Sequence, residues 1–193
     1  ILDTAIDQRG YIWFATDQGL NIWDGLTMRG FDSEDIGLPT NRFQALLAQE
    51  GSLWVGTDRG LLRYNRFTWE VVLPGVSVQA IAEESNGDLL LGTDHGLIHY
   101  QDGQSFMWII NTGKESYLSP NITRVVIDHQ GNTWAGSAGD GLFFFNGNTW
   151  QHFTTANGLP ANTIQAMAVD HLGGVWISAV TGAGGGALVR YIP

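Results

Sequence analysis

Apolar and polar residues alternate with a period of two along much of the chain, as in Phe43-Gln44-Ala45-Leu46 and Ile164-Gln165-Ala166-Met167-Ala168-Val169. No segment carries an amphipathic helical stripe. The pattern predicts short strands between turns rich in Gly and Asp. These strands fall into a repeating unit anchored on Trp13, Trp54, Leu90, Trp134 and Trp176, which are 41, 36, 44 and 42 residues apart. A glycine precedes each anchor by three residues: Gly10, Gly51, Gly87, Gly131 and Gly173. A small pair follows each anchor at Ala15-Thr16, Gly56-Thr57, Gly92-Thr93, Gly136-Ser137 and Ser178-Ala179. A Gly-Leu step comes next at Gly19-Leu20, Gly60-Leu61, Gly96-Leu97 and Gly141-Leu142, with Ala187-Leu188 as its degenerate fifth copy. Three residues beyond each Leu stands an aromatic residue: Trp23, Tyr64, Tyr100, Phe145 and Tyr191.

Within each unit the first strand is expected at about 1–7, 43–49, 78–84, 122–128 and 164–170, and the second at about 11–16, 52–57, 88–93, 132–137 and 174–179. The third is expected at about 19–24, 60–65, 96–101, 141–146 and 187–192, and a fourth at about 26–32, 68–73, 105–111 and 149–154, with none in the last unit. Four-stranded meanders repeating every 36 to 44 residues are the pattern of β-propeller blades, because stacking buries both faces of each sheet. The expected fold is all-β: one β-propeller region over 1–193, of about five blades at 1–42, 43–77, 78–121, 122–163 and an incomplete 164–193.

The turns account for the recurring residue types. Asp7-Gln8-Arg9-Gly10 and Asp128-His129-Gln130-Gly131 are hairpin sequences in which Asp accepts backbone N–H groups and Gly takes a positive φ. Thr57-Asp58-Arg59-Gly60 suits a type I turn followed by a left-handed Gly bulge. Gly56 and Gly92, late in the second strands, are expected to let neighbouring backbones approach closely.

Composition narrows the function classes. With 44% hydrophobic and 15% charged residues, the 193-residue chain is expected to fold around a core rather than remain disordered. A net charge of −10 leaves no basic stripe for a nucleic-acid partner. The absence of Cys removes disulfides, thiol nucleophiles and thiolate metal sites. No apolar run approaches the roughly 20 residues of a membrane span, so any membrane link would come through flanking segments. The start Ile1-Leu2-Asp3, without Met, reads as a processed protein or a piece of one.

At these repeat positions the chain resembles the two-component regulator propeller family. Its repeat runs roughly aliphatic strand, Asp-x-x-Gly, Leu-Trp-(Val/Ile)-Gly-Thr, two residues, then Gly-Leu and a Tyr. Leu53-Trp54-Val55-Gly56-Thr57-Asp58-Arg59-Gly60-Leu61 matches nearly throughout, and residues 89–97 match with Leu90 replacing Trp. Gly37-Leu38-Pro39 and Gly158-Leu159-Pro160, each followed by Asn41 or Asn162, also resemble that family, as do Gly10–Asn21. The resemblance implies an extracytoplasmic, periplasmic sensing region joined by a transmembrane helix to a signalling domain, and several members respond to oligosaccharides. Family sensors often carry many more repeats, arranged in two propellers.

The chemistry-bearing residues give weaker signals. His129 and His171 recur in Asp-His-x-Gly turns, His95 fills a variable turn slot, and His99 alternates along a third strand. None has the local spacing of a zinc site, so no metal or cofactor is predicted, while convergence of distant His in space stays open. Asp58 and Asp94 recur as turn formers. The stretch Asp128–Trp134 resembles a sialidase Asp box with one residue too many, and that motif is itself structural. Trp13, Trp54, Trp134 and Trp176 are expected to pack between blades, with Gly10, Gly51, Gly87 and Gly131 as the structural turn positions. Trp69, Trp108 and Trp150 recur on fourth strands and are expected to pack there.

The face formed by second-to-third turns and long connectors is the expected binding face. Arg42, Arg59, His95, Lys114, Tyr117 and Arg124 are its candidate ligand contacts. The resulting expectation is a non-enzymatic sensing segment for a carbohydrate or other small polar ligand. The alternatives are an interaction module that forms a homo-oligomer, or joins the rest of a larger propeller, through its open edge, and a propeller lyase or glycoside hydrolase.

Overall fold

The period-two segments form antiparallel meanders in chain order. The computed structural model describes all residues except 33, 35, 36, 38–41, 114, 115, 118, 119, 183 and 193, and only the backbone of Ser116 and Tyr117. The first blade comprises β1 (Asp3–Ile6), β2 (Ile12–Ala15), β3 (Leu20–Trp23) and β4 (Met28–Phe31), hydrogen-bonded in that order. The second comprises β5 (Phe43–Gln49), β6 (Ser52–Thr57), β7 (Gly60–Tyr64) and β8 (Trp69–Pro74). The third comprises β9 (Val78–Glu83), β10 (Leu89–Thr93), β11 (Gly96–Gln101) and β12 (Gln104–Trp108). A small two-stranded sheet, β13 (Ile110–Asn111) and β14 (Ser116–Tyr117), follows it. The fourth blade comprises β15 (Ile122–Ile127), β16 (Thr133–Ser137), β17 (Leu142–Phe145) and β18 (Trp150–Phe153), and the fifth comprises three strands, β19 (Thr163–Val169), β20 (Val175–Val180) and β21 (Gly186–Tyr191).

The fold class is therefore the predicted one, all-β with β-propeller blades and a three-stranded last blade. Two details of strand pairing differ from the sequence reading. The connector over residues 111–117 is itself paired, Ile110 with Tyr117 and Asn111 with Ser116. In the fifth blade β20 and β21 run on to a Val180–Gly186 pair, one residue beyond the expected strand ends, and the Thr181 hydroxyl closes their turn on the Gly185 carbonyl.

The chain divides inside β9 into two compact units, Ile1–Ile81 and Ala82–Pro193. In the first, Trp13, Leu20, Phe43, Leu53, Val55 and Leu62 form a buried cluster. Tyr64 packs edge-on to Trp13 at 5.9 Å and stacks on Trp69 at 4.6 Å. In the second, Trp134, Leu142, Phe144, Ile164, Val175 and Ile177 form the corresponding cluster. Each such aromatic pair adds about 0.5–1.5 kcal/mol beyond area burial.

Two polar devices recur at opposite ends of the blades. Between first and second strands one carboxylate organises a whole hairpin. Asp128 accepts the N–H groups of Gln130 (2.9 Å) and Asn132 (3.0 Å), and its second oxygen accepts the Trp134 indole N–H at 2.9 Å. Asp7 does the same for Arg9, Tyr11 and the Trp13 indole, and Asp170 for Leu172, Gly174 and the Trp176 indole. In the second blade Gln49 takes the carboxylate's place, accepting the Trp54 indole N–H at 2.7 Å. At the other end a hydroxyl closes the second-to-third turn. Thr16, Thr57 and Thr93 donate to the carbonyls of Gly19, Gly60 and Gly96, and Ser137 donates to that of Gly141. Gly60 has φ 155, well beyond the left-handed helical value expected for a bulge there.

Close packing of successive sheets explains the small residue late in each second strand. A Cβ on Gly136 would lie 2.6 Å from Ile164 Cγ2, and one on Gly56 would lie 2.5 Å from the Val78 carbonyl oxygen. Nearby, the Thr123 hydroxyl donates to the Ile164 carbonyl at 3.1 Å. Gly136→Ala is expected to destabilise the protein by about 1–3 kcal/mol, the usual scale of overpacking, in urea denaturation.

Burial works to raise the Asp128 carboxyl, but the Trp134 indole, the Asn132 amide and two backbone N–H groups outweigh it, so the group titrates below the ordinary 3.8. Asp7 and Asp170 are likewise lowered. A depressed folded-state value means that the stabilisation is complete above the ordinary value and is lost as pH falls towards the folded value. Stability should therefore hold down to about pH 4 and decline below it. Asp128→Asn should lower stability at neutral pH by about 1–3 kcal/mol, the scale of an unsatisfied buried donor, and flatten the acid decline in urea titrations between pH 5 and 2.

Candidate functional site

The third blade departs from the carboxylate-and-indole rule. Its hairpin runs Glu84-Ser85-Asn86-Gly87-Asp88-Leu89-Leu90, so Glu84 stands where Asp128 stands in the fourth blade and Leu90 stands where Trp134 does. The hairpin still closes through the Glu84 N–H to the Asp88 carbonyl and the Gly87 N–H to the Glu84 carbonyl, both at 2.9 Å. Leu90 is fully buried and offers no indole N–H. The Glu84 carboxylate turns instead to His99, which pairs with Leu90 across β10–β11, and His99 Nε2 lies 2.7 Å from Glu84 Oε2. Asp88, where the fourth blade has Asn132, places Oδ2 3.7 Å from the same nitrogen and also accepts the Asn86 amide at 2.7 Å.

His99 and Glu84 border a cleft of about 400 Å³ lined further by Phe106, Met107, Trp108 and Phe145. The register of β11 with β12 sets His99 opposite Phe106 and Leu97 opposite Trp108, so both rings stand on the His99 face. Trp108 is held edge-on by Phe145 at 4.9 Å and Trp150 at 5.3 Å, and its ring centroid is 6.3 Å from that of His99. Phe106 and Met107 are exposed. The site thus joins a polar corner of two carboxylates and an imidazole to an aromatic wall, an arrangement suited to a ligand with one apolar face and a polar or cationic end.

The first unit holds a smaller cleft of about 210 Å³ near Arg9, Tyr11, Asp24, Arg29 and Phe31. Arg29 lies over the Phe31 ring at 4.7 Å, and Arg9 is engaged by Asp7 at 2.7 Å. The Asp24 carboxyl is lowered by the N–H groups of Thr27 and Leu26 and by the Thr27 hydroxyl, which makes it a turn former.

Of the residues singled out from the sequence, Arg42, Arg59, His95 and Arg124 sit at the hydroxyl-closed end of their blades. Phe43 pairs with Thr57, so Arg42, which is exposed, precedes β5 at the end where Arg59 sits in the β6–β7 turn. The Arg59 guanidinium is 3.8 Å from the adjacent Asp58 carboxylate. In the second unit His95 Nδ1 is 2.8 Å from the adjacent Asp94, and Arg124 donates to the Thr123 carbonyl at 2.6 Å. Lys114 and the connector residues 38, 39 and 41 lie outside the described residues, and Tyr117 is described only as the backbone of β14. Trp13, Trp54 and Trp134 are buried. Trp176 is 36% exposed on the last blade, where Arg190 covers it at 5.6 Å and donates to Asp170 at 2.9 Å. Glu84, Asp88 and the His99–Trp108 pairing escaped the sequence reading. The available signal was Leu90 itself, the one anchor that cannot donate to the turn carboxylate.

No family model matches the chain, and no curated protein matches it in sequence. Among solved structures it is similar to two structures of the extracellular domain of BT4673 from B. thetaiotaomicron, one named as a one-component system and the other as a hybrid two-component system. The TM-scores are 0.80 and 0.78, each at 22% identity and covering 97% of this chain and 27% of that one. It is similar to PorZ, a surface component of the type-IX secretion system of Porphyromonas gingivalis, with TM-score 0.70 and 20% identity over 90% of this chain and 30% of that one. It is also similar to virginiamycin B lyase from Staphylococcus aureus, with TM-score 0.67 and 12% identity over 97% of this chain and 68% of that one. The chain spans under a third of the length of the first two, and likenesses at these identities establish a β-propeller fold.

Proposed function

We propose that the chain is a segment of an extracytoplasmic, periplasmic sensing β-propeller that recognises an oligosaccharide or other small polar ligand and has no catalytic role of its own. The observation that carries this reading is the likeness to the extracellular domain of BT4673 over 97% of the chain, joined to the repeat pattern that resembles two-component regulator propellers. The net charge of −10 favours a neutral or polar ligand over a nucleic acid. The proposed contacts are Arg42 and Arg59 in the first unit and, separately, His95 and Arg124 in the second, with Lys114 and Tyr117 on the connector between the third and fourth blades.

A panel of oligosaccharides tested by calorimetry should yield binding without product formation. Arg59→Ala or Arg124→Ala should weaken that binding about tenfold or more, the scale of one hydrogen bond to a charged group. Turnover of a bound saccharide, abolished by one carboxylate substitution, would replace the sensing reading with the lyase or hydrolase one.

One observation favours a second reading, an assembly module that joins another strand at its edge. β21 is the last strand of its sheet and exposes Leu188 (64%), with Ile192 (68%) just beyond it. An edge strand with unsatisfied backbone groups and apolar side chains is a pairing surface. Sedimentation at increasing concentration should show self-association that Leu188→Lys suppresses if this edge pairs with a second copy, and a monomer throughout if it does not.

A further inference from the structure

Comparison among the blades isolates what is peculiar about the third. In the fourth blade one carboxylate, Asp128, is answered by the Trp134 indole and by the Asn132 amide at 2.9 Å. In the third blade Leu90 replaces the indole and Asp88 replaces the amide, so two donors are lost and a second carboxylate is gained. In the fifth blade the residue opposite the anchor is Arg190, a permanent cation whose guanidinium reaches Asp170 at 2.7 Å. The corresponding residue opposite Leu90 is His99, whose imidazole can present a lone pair. The corner holds more acceptors than donors, and the fifth blade shows that a positive charge fits this position.

We propose that Glu84, Asp88 and His99 bind a divalent transition-metal ion of the Zn²⁺ type beside the Trp108 cleft. One ligand atom from each of the three residues lies within 4.8 Å of the others. Ligand atoms around a tetrahedral ion at bond lengths of about 2.0–2.2 Å stand roughly 3.4 Å apart. The observed 2.7 Å and 3.7 Å separations from His99 Nε2 therefore bracket the required value, and small side-chain rotations suffice. With Nε2 as ligand, the imidazole proton resides on Nδ1. The three side chains are partly shielded, 26% exposed for His99 and Glu84 and 12% for Asp88, which limits competition from water. An imidazole among carboxylates selects Zn²⁺ and its neighbours over Ca²⁺ or Mg²⁺, which take all-oxygen sets. Three protein ligands leave a fourth position, and the aromatic cleft bordered by Glu84 and His99 gives it room for water or a ligand oxygen. A glycosidase-type acid pair would need room between its carboxyls for a sugar bond, about 5–9.5 Å. Here an imidazole nitrogen meets both carboxylates, which suits a shared ion.

The test uses Zn²⁺ alone, titrated into the metal-stripped protein by calorimetry and followed in parallel by thermal denaturation and tryptophan fluorescence. One ion per chain should bind, and the melting temperature should rise with Zn²⁺ concentration. Two substitutions borrow residues that other blades already carry: Asp88→Asn matches Asn132, and His99→Arg matches Arg190. Both should keep the metal-free melting temperature within about 5 °C of the parent, a shift of about 1 kcal/mol or less. Each should bind Zn²⁺ at least about tenfold more weakly, because one of three ligands is gone. His171→Gln, which removes an exposed imidazole outside both the cluster and the proposed binding face, should bind like the parent. If the parent shows no saturable Zn²⁺ binding, or if Asp88→Asn binds as tightly as the parent, the assignment is overturned and His99 is only an ion-pair partner of the two carboxylates. If His99→Arg fails to fold, Asp88→Asn decides the matter alone.

Discussion

The hydrogen-bonded hairpin carboxylate is the constraint on which the rest of the blade depends. A tight turn between first and second strands leaves backbone N–H groups aimed inward, and a single Asp oxygen accepts two of them. The other oxygen reaches six residues ahead and takes the indole N–H of the anchor tryptophan. Because that ring is nearly fully buried in Trp13 and Trp134, its polar edge would otherwise lack a partner. One side chain therefore fixes the turn, the register of the hairpin and the orientation of the largest core residue. The ring then defines the face on which the next sheet packs. The small residue two positions beyond the anchor lies on that same face, which is why a Cβ on Gly136 would run into Ile164.

A device used this often also marks where it is broken. Replacing Trp by Leu at position 90 keeps the buried volume apolar but removes the indole donor. The carboxylate still holds its place through the hairpin backbone, and its charge is then answered from the facing strand. The second blade answers differently, with the neutral Gln49 and Arg63 lying over Trp54 at 5.4 Å. The fifth keeps the indole and adds Arg190. Only the third blade, among these described hairpins, combines two carboxylates with an imidazole, and it does so beside the aromatic cleft of Trp108.

Much of this was legible in the sequence because repetition acts as an internal control. Recurrence of Asp-x-x-Gly and of Gly-Thr-x-x-Gly-Leu located the strands and both families of turn, and the period excluded helices as the repeating element. A third family of turn was equally visible and went unread. Asp24 with Thr27, Asn65 with Thr68 and Asn146 with Thr149 each close the third-to-fourth hairpin through the same side-chain acceptor. The β13–β14 pair and the extended fifth hairpin were not legible, since each occurs once and short pairings depend on what the surrounding sheets leave free. The cluster around His99 was hidden for another reason. Two of its members come from the β9–β10 hairpin and the third from the middle of β11, so linear spacing carries no metal signature. Only the pairing of Leu90 with His99 brings them together.

Fold likeness and site chemistry bear on function at different levels. The likeness runs from TM-score 0.80 for an extracellular sensor domain through 0.70 for a secretion-system surface component to 0.67 for a lyase, and at 22% identity or less it establishes the β-propeller fold, which by itself does not choose among sensing, assembly and catalysis. The choice has to come from positions where the repeat departs from its own pattern, because residues that follow the pattern are accounted for by folding. By that criterion Asp58 and Asp94 carry no functional signal, since turns of their kind recur. Glu84, Asp88 and His99 gain weight, since no turn or packing rule requires two carboxylates and an imidazole in one corner. A repeat protein adds function by altering one copy while the others keep the fold stable, and the third blade is the copy altered in this way.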